Sequence, residues 1–512
     1  MPRLAHWARL HPDKPACCFP DLGAAVSYAA LHARADRAAR WLVGLGLEPG
    51  GAFAMMMENH PAVFELAFAG QRAGLYWVPL NTHLKPAELA YVLRDSGARV
   101  LVASPAQAHA AATAVAAMDD PASIRIYVLD GSQCSAGHYE AELAGELPAA
   151  LPLRPVGRDL LYSSGTTGLP KGVYRALLPA EERDQPRPAV GALLASGFDA
   201  STVYLSPAPL YHAAPHRFTL HAIEQGGTCV VMQKFDPEQA LGLIERHHVT
   251  HAQFVPTMFV RLLALPEPVR RGFDCTSLRR VIHAAAPCPV PVKEAMIAWW
   301  GPIIYEYYSG SEAIGGTGIE GADWLLHKGS VGRATHGTVH ITDDDGRELP
   351  PGAVGTVRFS GTPRFEYLNA PEKTRAAYDR NGWASYGDLG WLDADGYLYL
   401  SDRRADLIIS GGVNVYPQEV EDTLAQHPDV ADAAVIGIAD AEYGERVKAV
   451  VQLREGAGTT PERLVAFCRE RLAHVKCPRS VDIVDALPRS ETGKLLRRVL
   501  KEQYRPSGAK AG

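Results

Sequence analysis

The chain has no lysine and arginine run long enough to form an electrostatic footprint for nucleic acid, and its 51 basic against 57 acidic residues give a formal charge of -6. Small-molecule chemistry is favoured over polyanion binding. Eight cysteines are present (Cys17, Cys18, Cys134, Cys229, Cys275, Cys288, Cys468 and Cys477), with no C-x-x-C pair and no metal-ligand spacing. That pattern suits reduced thiols in the cytoplasm rather than a disulfide framework. No apolar run approaches the ~18 residues of a membrane span. The amphipathic start, MPRLAHWARLHPDKPA, is interrupted by charge, so a soluble, unexported protein is expected. A G-x-S-x-G elbow is missing too, which leaves a serine hydrolase of that type unsupported.

What is present is ordinary globular material: 512 residues, 47% hydrophobic and 21% charged, enough for about three domains of roughly 150 residues. From Tyr28 the texture alternates. A helical period (YAALHARADRAARWLVGLGL) precedes a short buried strand (AFAMMM), then a helix (PAVFELAFAGQRAG) and a strand-like YWVPLN. This is the rhythm of βαβ units. GTCVVMQ followed by FDPEQALGLIERH repeats it, with Asp236 placed to cap the helix and Pro237 at its first position. RRVIHAAAP and PIIYEYYSGSE each run from apolar into small and polar residues, as at strand ends that line a ligand crevice. Past about Gly382, GYLYLSDRRADLIISGG alternates apolar with polar residues and reads as antiparallel. Helices from Pro417 and Pro461, with a strand around AAVIGI, complete a separate module of roughly 100 residues, with the boundary near Asp402. The alanine-rich AQAHAAATAVAAM is most simply a helix.

Four stretches carry candidate chemistry. YSSGTTGLPKGV (Tyr162 to Val173) has glycines, hydroxyls and a lysine, but Pro170 precedes Lys171 and Gly172 follows it. It therefore departs from the nucleotide-triphosphatase loop, whose lysine sits between a glycine and a metal-binding hydroxyl. Backbone N–H groups and hydroxyls on such a loop suit phosphate oxygens, and a plain surface turn is the alternative. Glu312 in YYSGSEA could reach a hydrated magnesium or be a surface glutamate. Asp388 in WASYGDLG suits ribose hydroxyls or a capped turn. Lys494 in PRSETGKLLRRVL lies ahead of a basic helix and could be a solvated lysine. GTGIEG (Gly316 to Gly321) matches a dinucleotide fingerprint without the strand-turn-helix context. HHVTH (His247 to His251) lacks a nearby cysteine or carboxylate set, so a structural role is expected rather than a metal site.

Taken in order, YSSGTTGLPKGV, PLYHAAP, HAAAP, YYSGSE, SYGDLGWLDADGYLYLSDRRADLIISGGVNVYPQEVE and PRSETGKLLRR resemble the core motifs of the adenylate-forming superfamily of acyl-CoA synthetases, luciferases and peptide-synthetase adenylation domains. The resemblance spans nearly the whole chain. It implies an α/β fold: a large N-terminal domain of layered sheets and helices over residues 1–401, a hinge at 402–406, and a smaller mobile α+β lid over 407–512. In the family, a carboxylate attacks the α-phosphorus of ATP to give an acyl-adenylate and pyrophosphate, and a thiol then displaces AMP.

By that resemblance Ser163, Ser164, Gly165, Thr166, Thr167, Gly168 and Lys171 hold the leaving phosphates. Glu312 is assigned to magnesium, and Ser311 to phosphate. Asp388 and Arg403 take the ribose. Tyr308 lies beside the adenine, with Ala285, Ala286 and Pro287 lining its pocket. Lys494 meets the carboxylate and α-phosphate during adenylation. Opposite charges ~4 Å apart are worth about 4 kcal/mol at an effective dielectric near 20, so positioning and charge neutralisation need no protein nucleophile. His212, Ala213, Ala214, Ala284, Ser309 and Gly315 form the implied acyl pocket, small-residued and apolar, open to fatty, cyclic or aromatic acids.

Departures from the family pattern are informative. Ser311 replaces a common threonine and keeps the hydroxyl. Ala405 occupies the hinge position where relatives carry aspartate or lysine. PLYHAAP offers no aspartate for a substrate amine, so a free α-amino acid is not expected. Gly411 and Gly412 in SGGVNVYPQEVE leave space for a pantetheine arm, or serve only as a turn. The expectation is an AMP-forming carboxylic acid:CoA ligase using ATP, Mg2+ and coenzyme A. A ligase loading a separate carrier protein and a catalytically silent nucleotide sensor are the alternatives. The sequence leaves the oligomeric state open, a homo-oligomer included.

Overall fold

The computed structural model describes residues 3–129, 137–148, 150–163, 170–182, 191–403, 406–410, 413–440, 443–472, 474–490, 493 and 495–504. The alternating first half of the chain builds two large sheets. One has nine strands, running in space Arg333–His336, Gly316–Glu320, Ile304–Tyr308, Arg280–His283, His251–Phe254, Val203–Ser206, Thr228–Val231, Pro15–Phe19 and Ala24–Ser27. Its centre is parallel, and antiparallel strands close both edges. The other has six parallel strands, with Ala52–Met56 between Tyr76–Pro79 and Ala98–Ala103.

Parallel strands are buried on both faces, and the layers follow from that. Between the sheets lie the helices Tyr28–Gly44 and Ala62–Ala73. Their small and aromatic side chains join Phe19, Tyr204 and Cys229 of one sheet to Phe53, Trp77 and Val102 of the other in a single buried cluster. Nearly every residue of Ala62–Ala73 is buried, which explains its apolar run. Local signals hold as well. The Asp236 carboxylate accepts the Gln239 N–H at 2.9 Å, capping Pro237–His247.

The later, alternating stretch forms a four-stranded antiparallel sheet: Thr338–Thr342, Gly355–Ser360, Asp388–Leu392 and Leu398–Arg403. Beyond it, Val413–Val415, Ile408–Ser410, Gly444–Leu453, Val430–Asp440 and Ser480–Val484 make a separate sheet. The helices Pro417–Ala425 and Pro461–Arg469 cover it, over their own apolar cluster. The fold is α/β, with a large N-terminal domain and a smaller C-terminal one. Among the described residues no helix is long and apolar enough to cross a membrane. The stretch matching the dinucleotide fingerprint is itself an edge-zone strand, Gly316–Glu320, followed by the six-residue helix Gly321–Leu326. His247 closes one helix, and His251 opens the next strand with its Nδ1 2.8 Å from Thr250 Oγ1.

Candidate active site

Several expected site residues lie outside the described residues: Ser164, Gly165, Thr166, Thr167, Gly168, Ala405, Gly411, Gly412 and Lys494, together with the side chains of Ser163 and Arg403. The hairpin that bears the phosphate-loop stretch is described. Leu161–Ser163 and Lys171–Tyr174 pair antiparallel with Ser163 opposite Lys171, so both ends of the loop leave the same point of a small sheet. The third strand of that sheet, Glu366–Tyr367, brings Tyr367 under the lysine. Lys171 Nζ stands 5.0 Å from the Tyr367 ring centroid, and the Tyr367 hydroxyl donates to Glu312 Oε1 at 2.8 Å. Burial lowers the Lys171 pKa, Lys373 lowers it further, and Glu312 opposes both. Lys171 and Glu312, 141 positions apart by their numbers, thus meet around one tyrosine.

The strand Ile304–Tyr308 delivers the second group. The Tyr308 hydroxyl donates to Asp388 Oδ2 at 2.6 Å. Asp388, buried, opens a strand in which it faces Arg403 across the ladder. The turn that follows Tyr308 is held by Tyr386, whose hydroxyl accepts the Ile314 N–H at 3.1 Å and donates to the Gly315 carbonyl at 2.8 Å. Ser309 Oγ donates to the same carbonyl at 3.0 Å. Burial pushes the Tyr386 phenol up to about 12, which keeps it a donor. Gly315 has φ 152°, and a Cβ there would overlap the Phe359 ring, so the position requires glycine. On the opposite wall the chain leaves Arg280–His283 through Ala284 into Ala285, whose φ of 77° is unusual for a residue with a Cβ. Ala286 and Pro287 follow. These residues line the crevice at the carboxyl ends of the parallel strands, where open α/β sheets bind ligands.

His212 precedes the helix Ala213–Glu224, which Ala213 and Ala214 begin. A turn further on, Phe218 packs on Tyr307 with ring centroids 5.8 Å apart and planes at 30°. Behind them Gln253 donates to the Tyr307 oxygen at 3.3 Å and accepts from Tyr204 at 3.1 Å. Phe218 and Tyr204 thus belong to the buried core beside this helix, with Tyr307 packed against it.

Sequence reading missed a charge cluster at the centre of the site. Asp159, two residues before the Leu161–Ser163 strand, binds Arg217 at 2.8 Å and Arg175 at 3.3 Å. Arg217 also donates to the Ser311 carbonyl at 3.4 Å through both terminal nitrogens. Burial alone would push the Asp159 carboxyl up. Arg217 and Arg175 overcome it and hold the group well below the usual carboxylate range. One carboxylate thereby ties the hairpin of Leu161–Ser163 and Lys171–Tyr174, the helix Ala213–Glu224 and the Ser311–Glu312 turn together. The adjacency of Arg175 to the loop motif was the available signal. It could not identify the partner, which lies 16 residues back.

With this geometry established, the comparisons are specific. Residues 4–365 match the AMP-binding enzyme family, and residues 419–494 match the AMP-binding enzyme C-terminal domain. The chain is 36% identical over 493 residues to a feruloyl-CoA synthase of Amycolatopsis sp, covering 94% of each. It is 32% identical over 508 residues to a long-chain-fatty-acid–CoA ligase of Mycobacterium tuberculosis, covering 98% of this chain and 97% of that one. The crystal structure of ATP-bound MatB from Rhodopseudomonas palustris superposes with a TM-score of 0.82 at 30% identity, covering 99% of each chain. The chain belongs to the AMP-binding enzyme family.

Proposed function

We propose that this protein is an AMP-forming carboxylic acid:CoA ligase, which joins a carboxylic acid to ATP as an acyl-adenylate and passes the acyl group to coenzyme A. The observation that carries the reading is the meeting of Lys171, Glu312, Tyr308 and Asp388 at one end of the nine-stranded sheet. Lys171 and the loop that precedes it in sequence neutralise the leaving phosphates. Tyr308 and Asp388 hold the nucleoside, and Arg403 joins them from the facing strand. Ser311 and Glu312 stand on a turn fixed by Tyr386 and Arg217. A single carboxylate at Glu312 fits a magnesium ion that arrives with the polyphosphate and takes the rest of its shell from phosphate and water. Among the described residues no group of three or more His, Cys, Asp or Glu could hold one alone. The bound ion would neutralise phosphate charge.

The hinge is placed at 402–406, with Ala405 in it, between a domain of residues 1–401 and a lid of 407–512. Lys494 serves adenylation, and Gly411 and Gly412 serve the thiol's approach. The acid is a fatty, cyclic or aromatic one.

The test is ATP-dependent AMP release measured with a panel of hydroxycinnamic, succinylbenzoic and long-chain fatty acids, with and without CoA. Turnover with CoA and one of these acids supports the reading. Turnover only with an acyl-carrier protein redirects the thiol acceptor, and no ATP–pyrophosphate exchange with any acid overturns the assignment in favour of a nucleotide-binding protein.

A further inference from the structure

Behind the adenine wall lies a charged cluster that the proposed chemistry does not use. Lys293, on the helix Val290–Trp300, is fully buried. Its ammonium donates to Glu306 Oε2 on the strand Ile304–Tyr308 and stands 4.6 Å from the Trp324 ring centroid. Glu306 is buried too. On the neighbouring parallel strand its register partner is His283, whose Nε2 lies 3.6 Å from the same carboxylate oxygen. Both His283 ring nitrogens are buried without a hydrogen-bond partner. Burial first, and then Lys293, hold the imidazole well below its ordinary pKa, so it is neutral.

The connectivity gives this cluster its meaning. His283 ends its strand, and the next residues are Ala284, the positive-φ Ala285, Ala286 and Pro287. The chain then turns into the helix that carries Lys293. Glu306 is two residues before Tyr308 and, by strand alternation, on the same face. The ion pair therefore ties the far end of the Ala284–Pro289 connection directly to the strand that bears Tyr308. It sets the gap between the two walls proposed to hold adenine. A buried pair is weak support for stability, because apolar residues of similar volume often replace one at no cost. It is directional, however, and apolar packing is not.

We propose that Lys293 and Glu306 are positioning residues for the nucleoside half of ATP, holding the Ala285–Pro287 wall in register with Tyr308. The proposal rests on the reading that those two walls receive the adenine, and the test separates the two. Affinity for Mg·ATP and for inorganic tripolyphosphate is measured by calorimetry on the full chain, beside thermal unfolding, for Lys293→Met, Lys293→Met/Glu306→Leu and Tyr308→Ala. Lys293→Met leaves the Glu306 carboxyl buried without its ammonium partner, so it lowers Tm, and the double variant restores Tm toward the parent. In both, the ATP dissociation constant is expected to rise by about tenfold, since small misplacements in a site are costly, while that for tripolyphosphate stays within about twofold.

A purely structural pair gives a different pattern: ATP and tripolyphosphate affinity fall together in the single variant, or ATP affinity returns with Tm in the double one. Either result overturns the proposal. Parental ATP affinity in both Lys293 variants, with weakened affinity in Tyr308→Ala, overturns it while leaving the adenine assignment standing. Parental ATP affinity in Tyr308→Ala removes the adenine assignment and the proposal with it.

Discussion

Replacing Arg217 by methionine and Asp159 by asparagine should damage the protein unequally, and the order is set by counting charge. Arg158, Arg175 and Arg217 surround Asp159, whose side chain is 13% exposed. Three cations against one anion leave a net charge of +2. Arg217→Met reduces this to +1 and leaves Asp159 paired with Arg175 at 3.3 Å. Asp159→Asn raises it to +3 and leaves three guanidiniums without an anion. Removing one partner of a buried pair costs about 3–5 kcal/mol when the survivor is left uncompensated. The asparagine variant should fall in or above that range, and the methionine variant below it. Denaturant unfolding at pH 7 measures both.

The pH dependence has a definite sign. The folded Asp159 pKa is depressed, so its stabilisation is complete above the unfolded carboxylate value of about 4 and is lost as pH falls toward the folded value. The gap between parent and Arg217→Met should therefore be full at pH 7 and begin to narrow below about pH 4. An Arg217→Met enzyme less stable than Asp159→Asn would refute the charge count. A gap that widens on acidification would refute the linkage.

Three further outcomes are expected. Glu312→Gln should raise the magnesium concentration required for ATP–pyrophosphate exchange, because a neutral amide is a poorer ligand for a hard cation; an unchanged magnesium titration removes the assignment. Lys494→Ala should slow adenylate formation by a loss of about 3–4 kcal/mol in transition-state stabilisation yet spare thioester formation from a supplied acyl-adenylate. Equal loss in both half-reactions would contradict a role confined to the first. Gly412→Leu should do the reverse, retaining exchange while acyl-CoA synthesis falls, since a leucine side chain would fill space that a glycine leaves open; acyl-CoA made at the parental rate excludes the tunnel.

How far the sequence could be read depended on whether a feature was local. The cap at Asp236, the buried strands AFAMMM and GTCVVMQ, and the antiparallel texture after Gly382 are written in periodicity and turn chemistry over a few residues, and all appear. Resemblance supplied the pairing of Tyr308 with Asp388 as neighbours around one nucleoside, and the two side chains touch. Contacts made by side chains far apart in sequence carry no such signature. Tyr386 lies inside a quoted motif, but nothing in SYGDLG says that its hydroxyl holds the Ser309–Gly315 turn 71 residues away. Lys293 reads as a surface residue on an ordinary helix until Glu306 and Trp324 are placed around it.

One contact bears on how the two half-reactions share a single lid. Gly493, the residue before Lys494, has φ 72°, and a Cβ there would overlap the Thr257 side chain. Thr257 belongs to the helix Pro256–Leu263, which follows the central strand His251–Phe254. Gly493 is therefore seated against the helix that follows a central parallel strand, through a contact that only glycine permits. Tyr416 and Pro417, which follow Gly412, precede Gly493 in the chain by the strands Val430–Asp440, Gly444–Leu453 and Ser480–Val484. A C-terminal domain that turns between steps would let each of the two motifs serve one half-reaction. On that proposal the Lys494 and Gly412 phenotypes are expected to be opposite rather than parallel, since each substitution would remove a contact made in only one of two poses; parallel losses in both half-reactions would refute it.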